Sequence, residues 1–301
     1  MSAVVATGLG RRFGRRWALR DAFMEIPEGR IVALVGPNGA GKTTLLHLLM
    51  GLLKPTTGTV SVLGENPHNC ASFLRRAAFV AQDTPLYRSF TVEECLDLGR
   101  HLNPFWDDRL ARQRLDRLSI PMDQLISGLS GGQRAQVSLA VALAKKPELL
   151  LLDEPLASLD PLARRGFLQA LMDSVAETGL TVILSSHLVA DLERVCDHLI
   201  LLSASRTQVA GDIEDLLDRH RVLTGRRQEN PRIGGVAHVV TARHTDRQST
   251  LLVRTDGPIS DRDWVVETVS LEELVVAYLE SPTSSALPGP RLAEREMVSV
   301  S

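Results

Sequence analysis

The sequence predicts an α/β fold in which helices cover a parallel sheet, followed by a small α+β appendage. Three observations carry this. Short, branched apolar runs recur in the N-terminal part of the chain with helix-patterned segments between them. One of these runs passes directly into a glycine-rich loop and then a helix. Past about residue 213 the texture changes to short candidate strands and one capped helix.

The run "GRIVALVG" (29–36) reads as a buried strand, and "KTTLLHLLMGLL" after it has helical apolar spacing. "RAAFVAQ" (76–82) is a second short apolar run ending in a polar residue. Thr91 and Glu94 form a capping-box pair that starts a helix through "CLDLGRHL". Residues 105–126 have amphipathic helical spacing that ends near Pro121. "SGLSGGQRAQ" (127–136) is a glycine-rich turn opening a helix through "VSLAVALA", which Pro147 stops. "ELLLLDEP" (148–155) and "GLTVILSSH" (179–187) are strand-like, with helical "PLARRGFLQALMDSVAE" between them. "HLILLSASRTQVAGD" (198–212) supplies two closing strands. Short strands follow at 236–242, 249–255 and 264–269, then a helix "LEELVVAYLE" capped by Ser270 and Glu273. The expected organisation is a core at 1–212 with a helical subdomain at about 83–145, an accessory α+β unit at 213–280, and a disordered Ser/Pro-rich tail at 281–301.

Composition removes several function classes. The 301 residues are 44% apolar with a net charge of -2, which argues against general electrostatic binding to nucleic acid. The basic cluster Arg11, Arg12, Arg15 and Arg16 reads as a solvated loop. Cys70, Cys95 and Cys196 form no metal or disulfide pattern, which suits a reducing compartment. No apolar stretch approaches the roughly 18–20 residues that span a bilayer, and the N-terminus lacks a signal-peptide core. The expectation is a cytosolic chain whose membrane role would need another subunit.

Two motifs carry chemistry on their own. "GPNGAGKTT" (36–44) fits G-x-x-x-x-G-K-[ST] between a strand and a helix. The segment Gly36, Pro37, Asn38, Gly39, Ala40 and Gly41 can wrap phosphates with backbone N–H groups. Lys42 supplies a point charge to the β/γ-phosphates, the Thr43 hydroxyl can ligate Mg²⁺, and Thr44 adds a donor. The bland alternative is a glycine turn with a surface lysine, which both correct flanks disfavour. "LLLLDEP" places two carboxylates at a strand end. Solvated acids are common there, but beside a phosphate loop Asp153 can hold Mg²⁺ and Glu154 can orient or deprotonate water. His187 closes the next strand; a lone histidine is usually structural, but one at a strand end in this order could touch a γ-phosphate. Gln82, closing "AFVAQ", is weak evidence alone.

The ordered set "GPNGAGKTT", Gln82, "LSGGQ" (129–133), "LLLLDEP", "SLD" (158–160) and His187 resembles the ATP-binding cassette of ABC transporters. The likeness covers roughly residues 3–212, and "LSGGQ" is its most specific element. It implies a P-loop NTPase fold, ATP and Mg²⁺ as ligands, and ATP hydrolysis with Lys42, Glu154 and His187 as the catalytic set. Gln82 would sense metal and γ-phosphate and link to a transmembrane subunit, with Thr43, Gln82 and Asp153 at the metal. Asp160 would lie in a loop joining two ATPase halves. Phe13 before Gly14 stands where the family stacks adenine, more often with Tyr; Trp17 is the less favoured substitute. Ser130, Gly131, Gly132 and Gln133 would address the nucleotide of the opposite protomer, since a helix N-terminus can balance phosphate charge without a lysine.

One loop of each kind per chain then implies a head-to-tail pair with two shared sites. The implied partners are separate permease subunits of bacterial export type and a second copy or a paralogous ATPase subunit. No nucleic acid is expected, and the implied place is the cytoplasmic face of the membrane. Two alternatives stand beside this: a soluble ABC ATPase acting on ribosomes or DNA, and an ATP-gated regulator that clamps without hydrolysis. The single cassette and the short span 83–128 argue against the first, and Glu154 argues against the second.

Overall fold

The chain opens with a long antiparallel hairpin, β1 (Ser2–Phe13) and β2 (Arg16–Pro27), before the first buried strand β3 (Ile31–Val35). The computed structural model describes residues 1–281 apart from Asn69, Ser158, Asp191 and Asn230. There follow α1 (Lys42–Leu49), β4 (Thr57–Val62), α2 (Ala71–Arg76) and β5 (Ala77–Val80). A helical segment of α3 (Val92–Leu102), α4 (Asp108–Arg117) and α5 (Gly131–Ala144) comes next. The chain returns through β6 (Leu149–Leu152), α6 (Pro161–Thr178), β7 (Thr181–Ser186), β8 (His198–Ser203) and β9 (Arg206–Asp212). The C-terminal part holds α7 (Ile213–Asp218), β10 (His220–Arg226), β11 (Val236–His244), β12 (Gln248–Thr255), β13 (Trp264–Thr268) and α8 (Leu271–Glu280). The tail expected at 281–301 lies, beyond Ser281, outside the described residues.

The central sheet runs β5-β6-β7-β3-β8-β9, parallel except for the last pair. Its inner strands β3, β6, β7 and β8 read as largely apolar runs because both faces are covered. Along β3, Ile31, Ala33 and Val35 enter one core while Val32 and Leu34 enter the other. The second core lies under a three-stranded antiparallel sheet, β2-β1-β4, and takes in α1. The first is roofed by α5 and α6. Loops at the carboxyl ends of β3, β6 and β7 therefore converge on one edge, where open α/β sheets place ligands.

The four-stranded sheet β11-β12-β10-β13 is antiparallel, and α8 lies against it. One side of the sheet and α8 join the first core: Val240 and Leu252 of the sheet and Leu271, Leu274, Val275 and Tyr278 of α8 pack with Leu168, Leu192 and Leu216, while Leu223, Leu251, Val253 and Trp264 form a separate cluster. Each buried aliphatic side chain in such a layer contributes about 1.5–3 kcal/mol. Buried His220 ties the layers together, its Nδ1 2.6 Å from the Leu216 carbonyl and its Nε2 2.9 Å from the Tyr278 hydroxyl.

The structure differs from the sequence reading in places. The arginine cluster is solvent-exposed as expected, but its members mostly stand on strands rather than in a loop: they form the tip of the β1–β2 hairpin, where the Arg11 guanidinium lies over Phe13 and that of Arg12 over Trp17. The helix expected over 105–126 is confined to Asp108–Arg117, ending where Ser119 turns left-handed at φ 53°. Strands β1, β2, β4 and β10 and helix α2 were not anticipated.

Candidate functional site

The loop between β3 and α1 is shaped by glycine. Gly41, at φ 107°, sits where an added Cβ would strike the Ala18 carbonyl, so the loop can close against β2 only without a side chain there. The loop then feeds α1, with Lys42 at its first position, 7% exposed. The Lys42 ammonium donates to the Gly36 carbonyl at 2.8 Å and lies 3.2 Å from Glu154 Oε1.

The end of β6 meets this loop through a chain of short hydrogen bonds. Thr43 Oγ1 donates to Asp153 Oδ2 at 2.7 Å. Ser185, fully buried at the end of β7, donates through its hydroxyl to Asp153 Oδ1 at 2.7 Å and accepts the Glu154 N–H at 2.8 Å. Glu154 adopts a left-handed backbone, φ 48°, uncommon outside glycine, and the Ser185 hydroxyl helps hold it there. His187 Nδ1 lies 2.8 Å from Glu154 Oε2. An ionised carboxylate only accepts, so Nδ1 is the donor in this contact and Nε2 is the ring nitrogen left for the cleft.

Lys42, Thr43, Glu154 and His187 line a cleft of about 580 Å³. Its lining brings together Phe13, Arg16 and Trp17 from the N-terminal hairpin, Pro37, Asn38, Gly39, Gly41, Lys42, Thr43 and Thr44 from the glycine loop and α1, and Gln82, Glu154 and His187 from the ends of the neighbouring strands. The volume lies within the range of about 300–1,000 Å³ usual for small-molecule clefts. Phe13 is half-exposed, with the Arg11 guanidinium 4.8 Å from its ring centroid. Trp17 already carries two guanidiniums, Arg12 at 5.5 Å and Arg20 at 5.9 Å. Asp153 is buried and touches the cleft through Thr43.

The remaining site residues lie elsewhere. Ser130 caps α5 in a reciprocal box: its hydroxyl accepts the Gln133 N–H at 3.1 Å, and its own N–H donates to Gln133 Oε1 at 2.9 Å. The S-x-x-Q inside "LSGGQ" is thus a capping box whose helix start, Gly131 and Gly132, remains accessible. None of residues 130–133 lines the cleft. Asp160 caps α6 through Oδ1, accepting the Leu162 and Ala163 N–H groups at 3.0 and 2.9 Å; Ser158 of "SLD" is outside the described residues. Ala40 is buried behind the loop and Gly36 under Lys42. Ser185 was missed by the sequence reading; the signal was a polar pair closing the otherwise apolar run "TVILSS". A larger cavity of about 880 Å³ lies between α7 and the C-terminal sheet and contains none of these groups.

A glycine loop on a helix N-terminus, a lysine inside it and paired acids at the neighbouring strand end define a P-loop nucleotide-binding ATPase. The family described as "ABC transporter" matches residues 19–157. ABC transporter ATP-binding protein YtrB of Bacillus subtilis (strain 168) is 28% identical over 271 residues, 86% of this chain and 92% of that protein. The sulfate/thiosulfate import ATP-binding protein CysA of Mesostigma viride is 31% identical over 72% of this chain; the chain spans only 64% of that relative. Among solved structures, an ATP-binding subunit of an ABC transporter has a TM-score of 0.65 at 27% identity, over 72% of this chain and 92% of that one. A dimeric, post-hydrolysis ATP-binding cassette bound to ADP and Pi has a TM-score of 0.62 at 25% identity, over 70% of this chain and 98% of that one. Residues 19–157 thus form an ABC transporter ATP-binding domain. Among the described residues no helix is long and apolar enough to cross a membrane.

Proposed function

We propose that this chain is the ATP-hydrolysing subunit of an ABC transporter, that it works as a dimer with shared nucleotide sites, and that separate transmembrane subunits couple it to transport. The observation that carries this reading is the hydrogen-bonded run from Thr43 through Asp153, Ser185 and Glu154 to His187 beside the loop, with the Ser130 helix end turned outside the same cleft. A cassette with one phosphate loop and one outward signature helix is complete only as a pair.

In this reading ATP lies along the cleft with its base on the free face of Phe13. Stacking needs only the π-face, so the missing tyrosine hydroxyl costs little. Trp17 is the poorer platform because its ring is already engaged by Arg12 and Arg20. Backbone N–H groups of Asn38–Thr44 and the Lys42 ammonium take the phosphates, drawing Lys42 away from Glu154. Glu154, freed, accepts a proton from water as its oxygen attacks the γ-phosphorus and the bond to the β-phosphate oxygen breaks, releasing ADP. His187 holds Glu154 and faces the γ-phosphate with its other nitrogen. Thr43, Asp153 and Gln82 offer hard oxygen donors suited to Mg²⁺, and no cluster of three or more acidic, His or Cys ligands competes among the described residues. The ion, when bound, neutralises charge on the β/γ-phosphates.

Ser130, Gly131, Gly132 and Gln133 bring their helix end to the partner's γ-phosphate, and Asp160 marks the joining loop. Residues 1–212 form the cassette and 213–280 the accessory unit that completes one of its cores. The chain sits on the cytoplasmic face through its permease. Direction is not set by these residues: a relative named for sulfate/thiosulfate import matches over the same cassette. The test is Glu154→Gln. ATP affinity should be retained while phosphate release falls by roughly a hundredfold or more, the usual scale for a lost general base. Undiminished hydrolysis would remove Glu154 from this role.

A further inference from the structure

Side chains that no step above uses tie α5 to the start of α6. Gln136, 4% exposed, lies one turn beyond Gly132 on α5. Its Oε1 accepts from Arg114 Nη2 of α4 at 2.7 Å, and its Nε2 donates to the Ala163 carbonyl in the first turn of α6 at 3.4 Å. Ala163 is itself held by Asp160, whose Oδ1 accepts its N–H at 2.9 Å. One turn earlier, a Cβ on Gly132 would lie only 3.3 Å from Leu159 Cδ2. Positions 132 and 136 share a helix face, so α5 meets the Asp160 segment at two successive turns.

Arg114 is an expensive way to make such a contact. It is half-buried, its Nε has no partner, and among the described residues it forms no ion pair. Burial pulls its guanidinium down to about 10, with Asp173 acting only from a distance. A buried cation answered by a neutral amide costs stability compared with an apolar side chain of similar shape. What it supplies is orientation. A glutamine amide can present either end, but guanidinium only donates, so Arg114 selects Oε1 and leaves Nε2 to face the Ala163 carbonyl.

We infer that Arg114, acting through Gln136, is a positioning residue that locks the signature loop and the Asp160 loop into one rigid edge, so that both reach the partner's nucleotide together. This rests on the shared-site reading. The discriminating variant is Gln136→Glu, made with Arg114→Met in a Glu154→Gln background. Mg-ATP-dependent dimerisation is followed by sizing, monomer stability by melting, and loop integrity by ADP affinity. Gln136→Glu keeps the Arg114 contact as an ion pair but cannot donate to Ala163. Its melting temperature should match or exceed the parent's and its ADP affinity should stay within about twofold, while dimer affinity falls roughly tenfold, the scale of one hydrogen bond. Arg114→Met should weaken the dimer in the same direction. A purely structural role predicts the opposite split, Gln136→Glu stable and fully dimeric, and that result overturns the inference. A parent that fails to dimerise with ATP bound overturns the shared-site reading itself, which is a separate outcome.

Discussion

Ser185 is the residue on which the acid pair depends. Its hydroxyl satisfies one Asp153 oxygen and the Glu154 N–H at once, inside a fully buried strand end. Removing it leaves two buried polar groups unpaired, a cost of about 1–3 kcal/mol each when water cannot replace the partner. Ser185→Ala should therefore lower kcat about tenfold or more and leave nucleotide affinity nearly unchanged, because the loop's own donors are intact. Steady-state phosphate release beside nucleotide titration separates the two effects. His198 makes a different prediction. It is 7% exposed beneath the N-terminal sheet, its Nε2 lacks a partner, and burial holds its pKa down at about 4 against an ordinary 6.5. Between those values the unfolded chain takes a proton that the folded chain refuses, so stability falls as pH drops from about 6.5 to 4, by up to ~3 kcal/mol. His198→Leu should be little different above pH 7 and increasingly more stable than the parent toward pH 4.5, as read by melting temperature across pH.

Among the elements, those bounded by local chemistry were legible in the sequence. The boxes at Thr91/Glu94 and Ser270/Glu273 form as read, and the buried strands β3, β6, β7 and β8 lie where unbroken apolar runs put them. Thr91→Ala loses the Glu94 N–H bond and should cost about 1 kcal/mol of stability, seen as a lower melting temperature. Elements governed by distant partners were not legible. In β1 the register with β2 shifts at several points, so its burial never alternates cleanly and period-two reading fails. Strand β10 buries a histidine where the pattern calls for an aliphatic residue, because the Leu216 carbonyl and the Tyr278 hydroxyl lie beside it only in the fold. The loop lysine, the acid pair and His187 could be located from motif spacing. Ser185 left only the trace of a polar pair ending an apolar run, and the Arg114–Gln136 contact left none, since their partners lie far away in sequence.

At the scale of the whole molecule, the arrangement of the two glycine-rich segments decides the unit of function. Most of the loop at 36–44 lines the cleft, whereas the signature helix start, Gly131 and Gly132 capped by Ser130, is not part of its lining. In the shared-site reading proposed above, a nucleotide bound by one chain meets the signature residues of a second copy by head-to-tail docking. On that reading the γ-phosphate would favour closure through contacts available only in the pair, a population shift driven by differential affinity. The most direct test measures the oligomeric state of Glu154→Gln with and without Mg-ATP, beside the same variant carrying Ser130→Arg, with nucleotide binding recorded for both. The shared-site account predicts that Glu154→Gln is a dimer only with ATP, and that adding Ser130→Arg returns it to a monomer that still binds nucleotide. A Glu154→Gln chain that stays monomeric when saturated with ATP would contradict it, as would a Ser130→Arg chain that no longer binds nucleotide at all.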